Sequence, residues 1–207
     1  MLTLYHAPQS RSSAIVTLIE DMGIADKVAI HLVNIPRRDG SGQRDQSNPH
    51  PEGKAPALVH DGHMITERGA IMLHLTTLFP EAGLAPAIGT PRWGEYATWL
   101  SWYQGVLEPI LVMGALGLAH PGVAATFRSH QEAAARLHAA LVKGPWLLGQ
   151  DFSAADILVH SPYAFFDGIT PDDPLIRDWV ARCKARPSRL RVLASDAALM
   201  DQAAAAA

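Results

Sequence analysis

Ala57-Leu58-Val59-His60-Asp61-Gly62-His63-Met64-Ile65-Thr66 reads as two short β-like runs flanking Asp61-Gly62, a dipeptide suited to the positive φ angles of a tight hairpin turn. The two runs are therefore expected to pair antiparallel. Upstream, Leu2 and Leu4 alternate with Thr3 and Tyr5 as a first strand, and Val28, Ile30 and Leu32 repeat the period-two pattern as a second. Between them Ile15, Leu18, Ile19 and Met22 recur at helical spacing, with Gly23 as a natural stop. Downstream, Ile71, Met72, Leu75, Leu78 and Phe79 form one more helical face before Pro80. The hairpin is thus the third and fourth strand of a βαβ-ββα unit, an α/β domain over residues 1–80.

From Pro80 to Pro91 the proline and glycine content is that of a linker, which places the domain boundary at 81–91. Residues 92–207 carry only helical periods and read as an all-α domain. Trp93, Tyr96, Leu100, Tyr103 and Leu107 line one stripe, and Trp99, Trp102, Val106 and Ile110 another, so this helix must be covered on two sides. These aromatics are core, a substrate pocket or a subunit contact. Phe152-Ser153-Ala154-Ala155-Asp156-Ile157 has the spacing of a capping box with a hydrophobic staple, a structural helix start. Leu175, Ile176, Trp179, Val180 and Cys183 share a later helical face closed by Pro187, with Cys183 a small buried apolar residue. The five terminal alanines are expected to fray.

Composition narrows the function. With 207 residues a core needs no staple, and a single cysteine can form neither an internal disulfide nor a CxxC redox pair. Formal charge is -3, with 7 basic against 8 acidic residues through Pro80 and 10 against 12 beyond it, so neither half carries the surplus of Lys and Arg that a nucleic-acid binder needs. No apolar run approaches the roughly 18 residues of a membrane helix, and Met1 leads into a strand rather than a signal segment. A soluble, cytoplasmic protein is expected. Ten histidines show no HExxH spacing; His60 and His63 bracket the hairpin as exposed turn residues, and no metal site is expected.

Four segments together resemble the cytosolic glutathione S-transferase family, in a bacterial-type form with a serine-type loop. They are Leu4-Tyr5-His6-Ala7-Pro8-Gln9-Ser10-Arg11-Ser12, Asn48-Pro49 through Gly53-Lys54-Ala55-Pro56-Ala57-Leu58, Ile65-Thr66-Glu67-Arg68-Gly69-Ala70-Ile71, and the capping box from Ser153 to Asp156. The resemblance implies a thioredoxin-like N-terminal domain that binds glutathione, an all-helical domain for a second substrate, and a homodimer acting in detoxification. It also implies that Pro56 is cis and that the Ala55 backbone pairs with the cysteine of glutathione.

Glutathione is an anionic tripeptide whose thiol titrates above neutrality, so such an enzyme must hold its backbone, neutralise its carboxylates and favour the thiolate. Glu67 precedes a helix, where its carboxylate can meet the γ-glutamyl ammonium while free amides receive the adjacent carboxylate. The family usually has serine next; here Arg68 stands, offering its amide, with a side chain that reaches an anion or points to solvent. Lys54 is a candidate for the glycine carboxylate, with Arg37 and Arg38 as unranked further candidates. Ser10 best matches the thiol-activating position of serine-type classes, whose later arginine is replaced by Ala14; Ser12 and Arg11 are the alternatives. Tyr5 lies within a strand and is expected to pack. Trp99, Trp102, Tyr103 and Val106 are candidates for holding a hydrophobic electrophile. The expected reaction is attack of the glutathione sulfur on that electrophile. The alternatives are a glutathione-dependent disulfide reductase or peroxidase, which the absence of a loop cysteine disfavours, and a non-catalytic ligand- or protein-binding module.

Overall fold

The computed structural model describes residues 1–205, apart from the Asp167 side chain. Ala206 and Ala207, the last two of the alanines expected to fray, lie outside the described residues; Ala203–Ala205 complete a helix. The described chain divides into two compact units, Met1–Ala82 with Arg186–Ala207, and Gly83–Ala185. The sequence puts residues 186–207 with the helical half, whereas their contacts put them with the first unit.

In the first unit, strands β1 (Leu2–His6), β2 (Val28–Leu32), β3 (Ala57–His60) and β4 (His63–Thr66) form one sheet in the order β2-β1-β3-β4. β1 pairs parallel with β2 and antiparallel with β3, and β3 antiparallel with β4, so the βαβ-ββα order holds. Asp61 and Gly62 have φ of 48° and 82°, both left-handed, as the hairpin requires. Helix α1 (Ser13–Met22) buries Ile15, Leu18, Ile19 and Met22 and ends on Gly23 at φ 67°. Helix α2 (Arg68–Leu78) buries Ile71, Met72 and Leu75. β2 is an edge strand, and Ile30 and Leu32 on it are exposed, so its period-two pattern marks a strand without marking a buried face. His63 is exposed as expected, while His60 is half-buried with Nδ1 3.0 Å from His74 Nε2.

The second unit is helical, with α3 (Pro91–Trp102), α4 (Glu108–Ala115), α5 (Pro121–Phe127), α6 (His130–Leu141), α7 (Ala154–Phe165) and α8 (Pro174–Lys184). A π-turn at Tyr103–Leu107 joins α3 to α4. It adds a residue to the helical repeat, and both stripes read from the sequence run across it. The Ser153–Asp156 capping box forms: Asp156 Oδ2 accepts from Ser153 N at 3.0 Å and Ser153 Oγ at 3.1 Å. Its other oxygen accepts from Leu147 N and Trp179 Nε1, both at 2.9 Å, joining α7 to α8 and to the segment before it.

Helix α9 (Pro187–Ala205) returns to the first unit and packs on α1. Arg186 Nη2 donates to Asp21 Oδ1 at 2.7 Å, Ser188 Oγ to the same oxygen at 2.8 Å, and Arg191 pairs with Glu20 at 2.9 Å. Together these close the far end of α1. Among the described residues no helix is long and apolar enough to cross a membrane.

Candidate functional site

The sheet register brings three of the four motif segments to one end. Tyr5, near the end of β1, pairs with Ala57, the first residue of β3, and Ala57 pairs with Thr66, the last of β4. The loop Ala7–Ser12, the Ala55–Pro56 segment and Glu67 therefore leave the sheet side by side. Ala7, Val33 and Ala55 pack as one small apolar cluster, with Tyr5 and Ile35 against it, which ties the first loop to the second. The Tyr5 ring also packs on the His31 ring, their centroids 5.0 Å apart.

The segment before β3 is shaped by its own polar groups. Asn48, buried, donates from its side-chain amide to Lys54 O at 2.9 Å and accepts from His50 N at 3.0 Å. His50, also buried, accepts at Nδ1 from Glu52 N at 3.1 Å, and its carbonyl accepts from Gly53 N at 2.8 Å. These bonds deliver the buried Ala55 and Pro56, joined by a cis peptide bond, to the start of β3. Lys54 is exposed, with its ammonium against Glu52.

Glu67 stands at the N-cap of α2 with an exposed side chain and a φ of 66°. A non-glycine residue in that region is uncommon and costs conformational energy. Gln9, in the first loop, is held the same way at φ 51°. Of the four non-glycine residues with positive φ among the described residues, these two therefore lie at the same end of the sheet. Arg68 is only 5 % exposed, which settles one open reading: its side chain turns inward and does not extend into solvent. The start of α2 sets the positive end of the helix beside Glu67.

The first loop is organised around Ser12, which is fully buried. Its Oγ lies 2.7 Å from His6 Nδ1 and 2.8 Å from Ser10 Oγ, accepts from Ala7 N at 3.1 Å and stands 3.0 Å from Ala7 O. Ser10 is half-buried, and its Oγ accepts from Ser12 N at 3.1 Å. Arg11 is exposed. Behind Ser12, His6 Nε2 lies 3.0 Å from Asp196 Oδ1 of α9, and Asp196 Oδ2 accepts from Gln9 N at 2.8 Å and Ser13 Oγ at 2.5 Å. Burial pushes the Asp196 carboxyl up, but the bonds from His6, Ser13 and Gln9 together outweigh it and hold the group below the usual carboxylate range. Arg37 spans the outside of the loop, donating to Pro8 O at 2.8 Å and Gln9 O at 3.4 Å, so this cation braces the loop; Arg38 is exposed.

His6 and Asp196 are absent from the sequence-derived site. His6 sits in a quoted motif but reads as a strand residue, and Asp196 is 190 residues away from it on a helix that the periodicity did not single out. No local pattern joins them. The four aromatic and aliphatic candidates for the second substrate lie in the other unit. There Trp99 and Trp102 are buried edge-to-face at 5.3 Å, the Arg136 guanidinium lies over both rings at 5.0 and 4.7 Å, Tyr103 is buried and Val106 half-buried. Among the described residues no group of three or more His, Cys, Asp and Glu side chains is placed to hold a metal.

Residues 1–77 match the glutathione S-transferase N-terminal domain family. Glutathione S-transferase 3 of Schizosaccharomyces pombe is 25 % identical over 111 residues, 54 % of this chain and 44 % of that protein, so the chain spans less than half the length of this curated relative. The crystal structure of a glutathione S-transferase from Actinobacillus pleuropneumoniae superposes with a TM-score of 0.76 at 23 % identity, covering 95 % of this chain and 93 % of the other. A sphingomonad glutathione S-transferase complexed with glutathione gives 0.73 at 23 % identity over 94 % and 98 %. The described fold is a thioredoxin-like domain followed by helices, as in these solved structures, and the family match covers its first 77 residues.

Proposed function

We propose that this chain is a glutathione S-transferase, which binds glutathione at the common end of β1, β3 and β4 and activates its thiol for attack on a hydrophobic electrophile. The observation that carries the reading is the register that sets the Ala7–Ser12 loop, Ala55–Pro56 and Glu67 side by side. A tripeptide needs an extended backbone edge, a reader for its zwitterionic end and a donor at its sulfur, and each segment offers one of these. Ala55 supplies backbone groups for the cysteine residue. Glu67 takes the γ-glutamyl ammonium while amides at the start of α2, including that of Arg68, take the neighbouring carboxylate. Lys54, exposed on a flexible stem, exchanges Glu52 for the glycine carboxylate.

Ser10 is the activating residue. Ser12 is enclosed by four partners and does not reach a ligand, whereas Ser10 stands half-buried one hydrogen bond further out; Arg11, exposed beside it, adds positive potential. The thiol gives its proton to solvent, the Ser10 hydroxyl donates to the thiolate, and the sulfur bonds to an electrophilic carbon as the leaving group departs with its electron pair. Holding both reactants supplies proximity. Trp99, Trp102, Tyr103 and Val106 remain the proposed residues for the second substrate, in a cytoplasmic homodimer.

Titration calorimetry with reduced glutathione tests this. Saturable binding is expected for the unaltered protein, weakened at least roughly tenfold in Glu67→Ala, since a charge-assisted hydrogen bond is worth about 1.5–3 kcal/mol. Ser10→Ala should retain binding and lose most of the conjugation of a chloronitroaromatic. Absence of binding by the unaltered protein would overturn the reading.

A further inference from the structure

The chain Asp196–His6–Ser12–Ser10 has a hydrogen count that admits two arrangements. A carboxylate only accepts, so the His6 Nε2 facing Asp196 carries a hydrogen in either one. When that is the ring's only hydrogen, Nδ1 is an acceptor and takes the hydroxyl hydrogen of Ser12. Ser12 Oγ then has two lone pairs to fill; Ala7 N–H fills one, and the Ser10 hydroxyl, 2.8 Å away, fills the other. The Ser10 hydrogen is turned inward.

When His6 carries both hydrogens, Nδ1–H donates to Ser12 Oγ and, with Ala7 N–H, fills both of its lone pairs. Ser10 can no longer donate to it. Ser12 donates instead to Ser10 Oγ or to Ala7 O, and Ser10 Oγ keeps the bond from Ser12 N–H. Its hydrogen is left for a partner on the open side of the loop. The ionised Asp196 is what makes the doubly protonated ring tolerable in a site where His6 is 3 % and Asp196 2 % exposed.

We propose that Asp196 is a positioning residue for thiol activation: paired with a doubly protonated His6, it fixes through Ser12 the direction of the Ser10 hydroxyl, so that the hydrogen points at the glutathione sulfur. The inference rests on the assignment of glutathione and Ser10 above. Other charged groups lie around this chain without interrupting it. Arg37 braces the carbonyls of Pro8 and Gln9, His31 packs on Tyr5 of β1, Arg11 is exposed on the loop, and Asp21–Arg186 and Glu20–Arg191 join α1 to α9.

The test is the ultraviolet titration of the bound glutathione thiolate in the unaltered protein, Asp196→Asn, Ser12→Ala and the double variant, with glutathione affinity measured alongside. Asp196→Asn should raise the apparent thiol pKa by about one unit, a tenfold loss of thiolate at a pH below it, with glutathione affinity changed less than about threefold. Ser12→Ala removes the inward acceptor of the Ser10 hydroxyl, so the double variant should titrate as Ser12→Ala does, with no further shift from Asp196→Asn, because both act through one chain. A superimposable thiol titration in folded Asp196→Asn, or additive effects in the double variant, overturns the proposal. If Asp196→Asn does not fold, the nitrogen resonances of His6 in the unaltered protein decide: both ring nitrogens protonated at the working pH supports it, and a hydrogen on Nε2 alone overturns it. Failure of the unaltered protein to bind glutathione brings down both readings; binding with an unmoved thiol brings down this one alone.

Discussion

Asp156 and Asp196 are both buried carboxylates, and the contrast between them separates what holds this chain together from what it is proposed to do. Asp156 accepts four hydrogen bonds, from Ser153 N, Ser153 Oγ, Leu147 N and Trp179 Nε1. Three come from within nine residues, and none from a group that titrates near neutral pH. Asp196 takes one bond each from Gln9 N and Ser13 Oγ and faces an imidazole, all more than 180 residues away. Burial raises the Asp156 carboxyl, its bonds offsetting only part of that, whereas at Asp196 the bonds outweigh burial and lower it. A carboxylate saturated by backbone and indole donors is an anchor. One that faces a histidine bonded to a buried serine is the end of a side-chain relay.

The largest expected effect tests the anchor. Asp156→Ala strands the buried Leu147 amide, Ser153 amide and Trp179 indole N–H without an acceptor and removes the cap of α7, and should destabilise the protein by about 3–5 kcal/mol. At about 2–4 °C per kcal/mol for a chain of this size, the melting midpoint should fall by roughly 6–20 °C. A fall within the range of an ordinary surface substitution would break the comparison, since Asp156 would then be no more than a local cap.

A smaller effect, opposite in sign for the two residues, is expected in the pH dependence of stability. The native state favours ionised Asp196, so its contribution is present above the ordinary carboxyl value of about 3.9 and is lost as pH falls through the depressed native value. For Asp156 the native value is raised, so its contribution is present below about 3.9 and is lost as pH rises through that native value. Denaturant midpoints measured from pH 7 downward should show Asp196→Asn flattening the loss at the acid end. Asp156→Asn should remove a gain that accrues on mild acidification. Slopes that change in the same direction for both variants would erase the electrostatic distinction between the sites.

The same contrast explains what the sequence made legible. The hairpin, the α1 stripe with Gly23 and the Ser153–Asp156 box depend on spacings of one to seven residues, and each is present in the structure. The sheet end that gathers Ser10, Ala55, Pro56 and Glu67 was reachable because strand order followed from those local patterns and from resemblance. His6 and Asp196 were not, because what joins them is the return of α9 to α1, a tertiary contact with no periodic trace. The same return puts residues 186–205, which helical periodicity alone assigns to the second half, with the first unit. Exposure was hidden as well: Ile30 and Leu32 have the pattern of a buried strand face but lie on an edge, and Arg68, read as reaching an anion or pointing to solvent, is buried.

The smallest expected effect concerns Arg37, which grips the site loop by two of its carbonyls. Its guanidinium donates to Pro8 O and Gln9 O and approaches Met200 Sδ at 3.5 Å. Both carbonyls belong to residues that are not buried, so water can replace the lost donors, and Arg37→Ala should cost only about 0.5–1.5 kcal/mol. The amides of Gln9 and Ser12 should keep most of their protection from hydrogen exchange, because Gln9 N still donates to Asp196 and Ser12 N to Ser10. Asp196→Asn should expose those amides more than Arg37→Ala does, even if the two variants lose similar overall stability. The reverse order would mean that the loop is held from its outer face by a guanidinium. Asp196 would then have no mechanical grip on the Gln9–Ser12 segment, and its influence on Ser10 would run through the His6 proton alone.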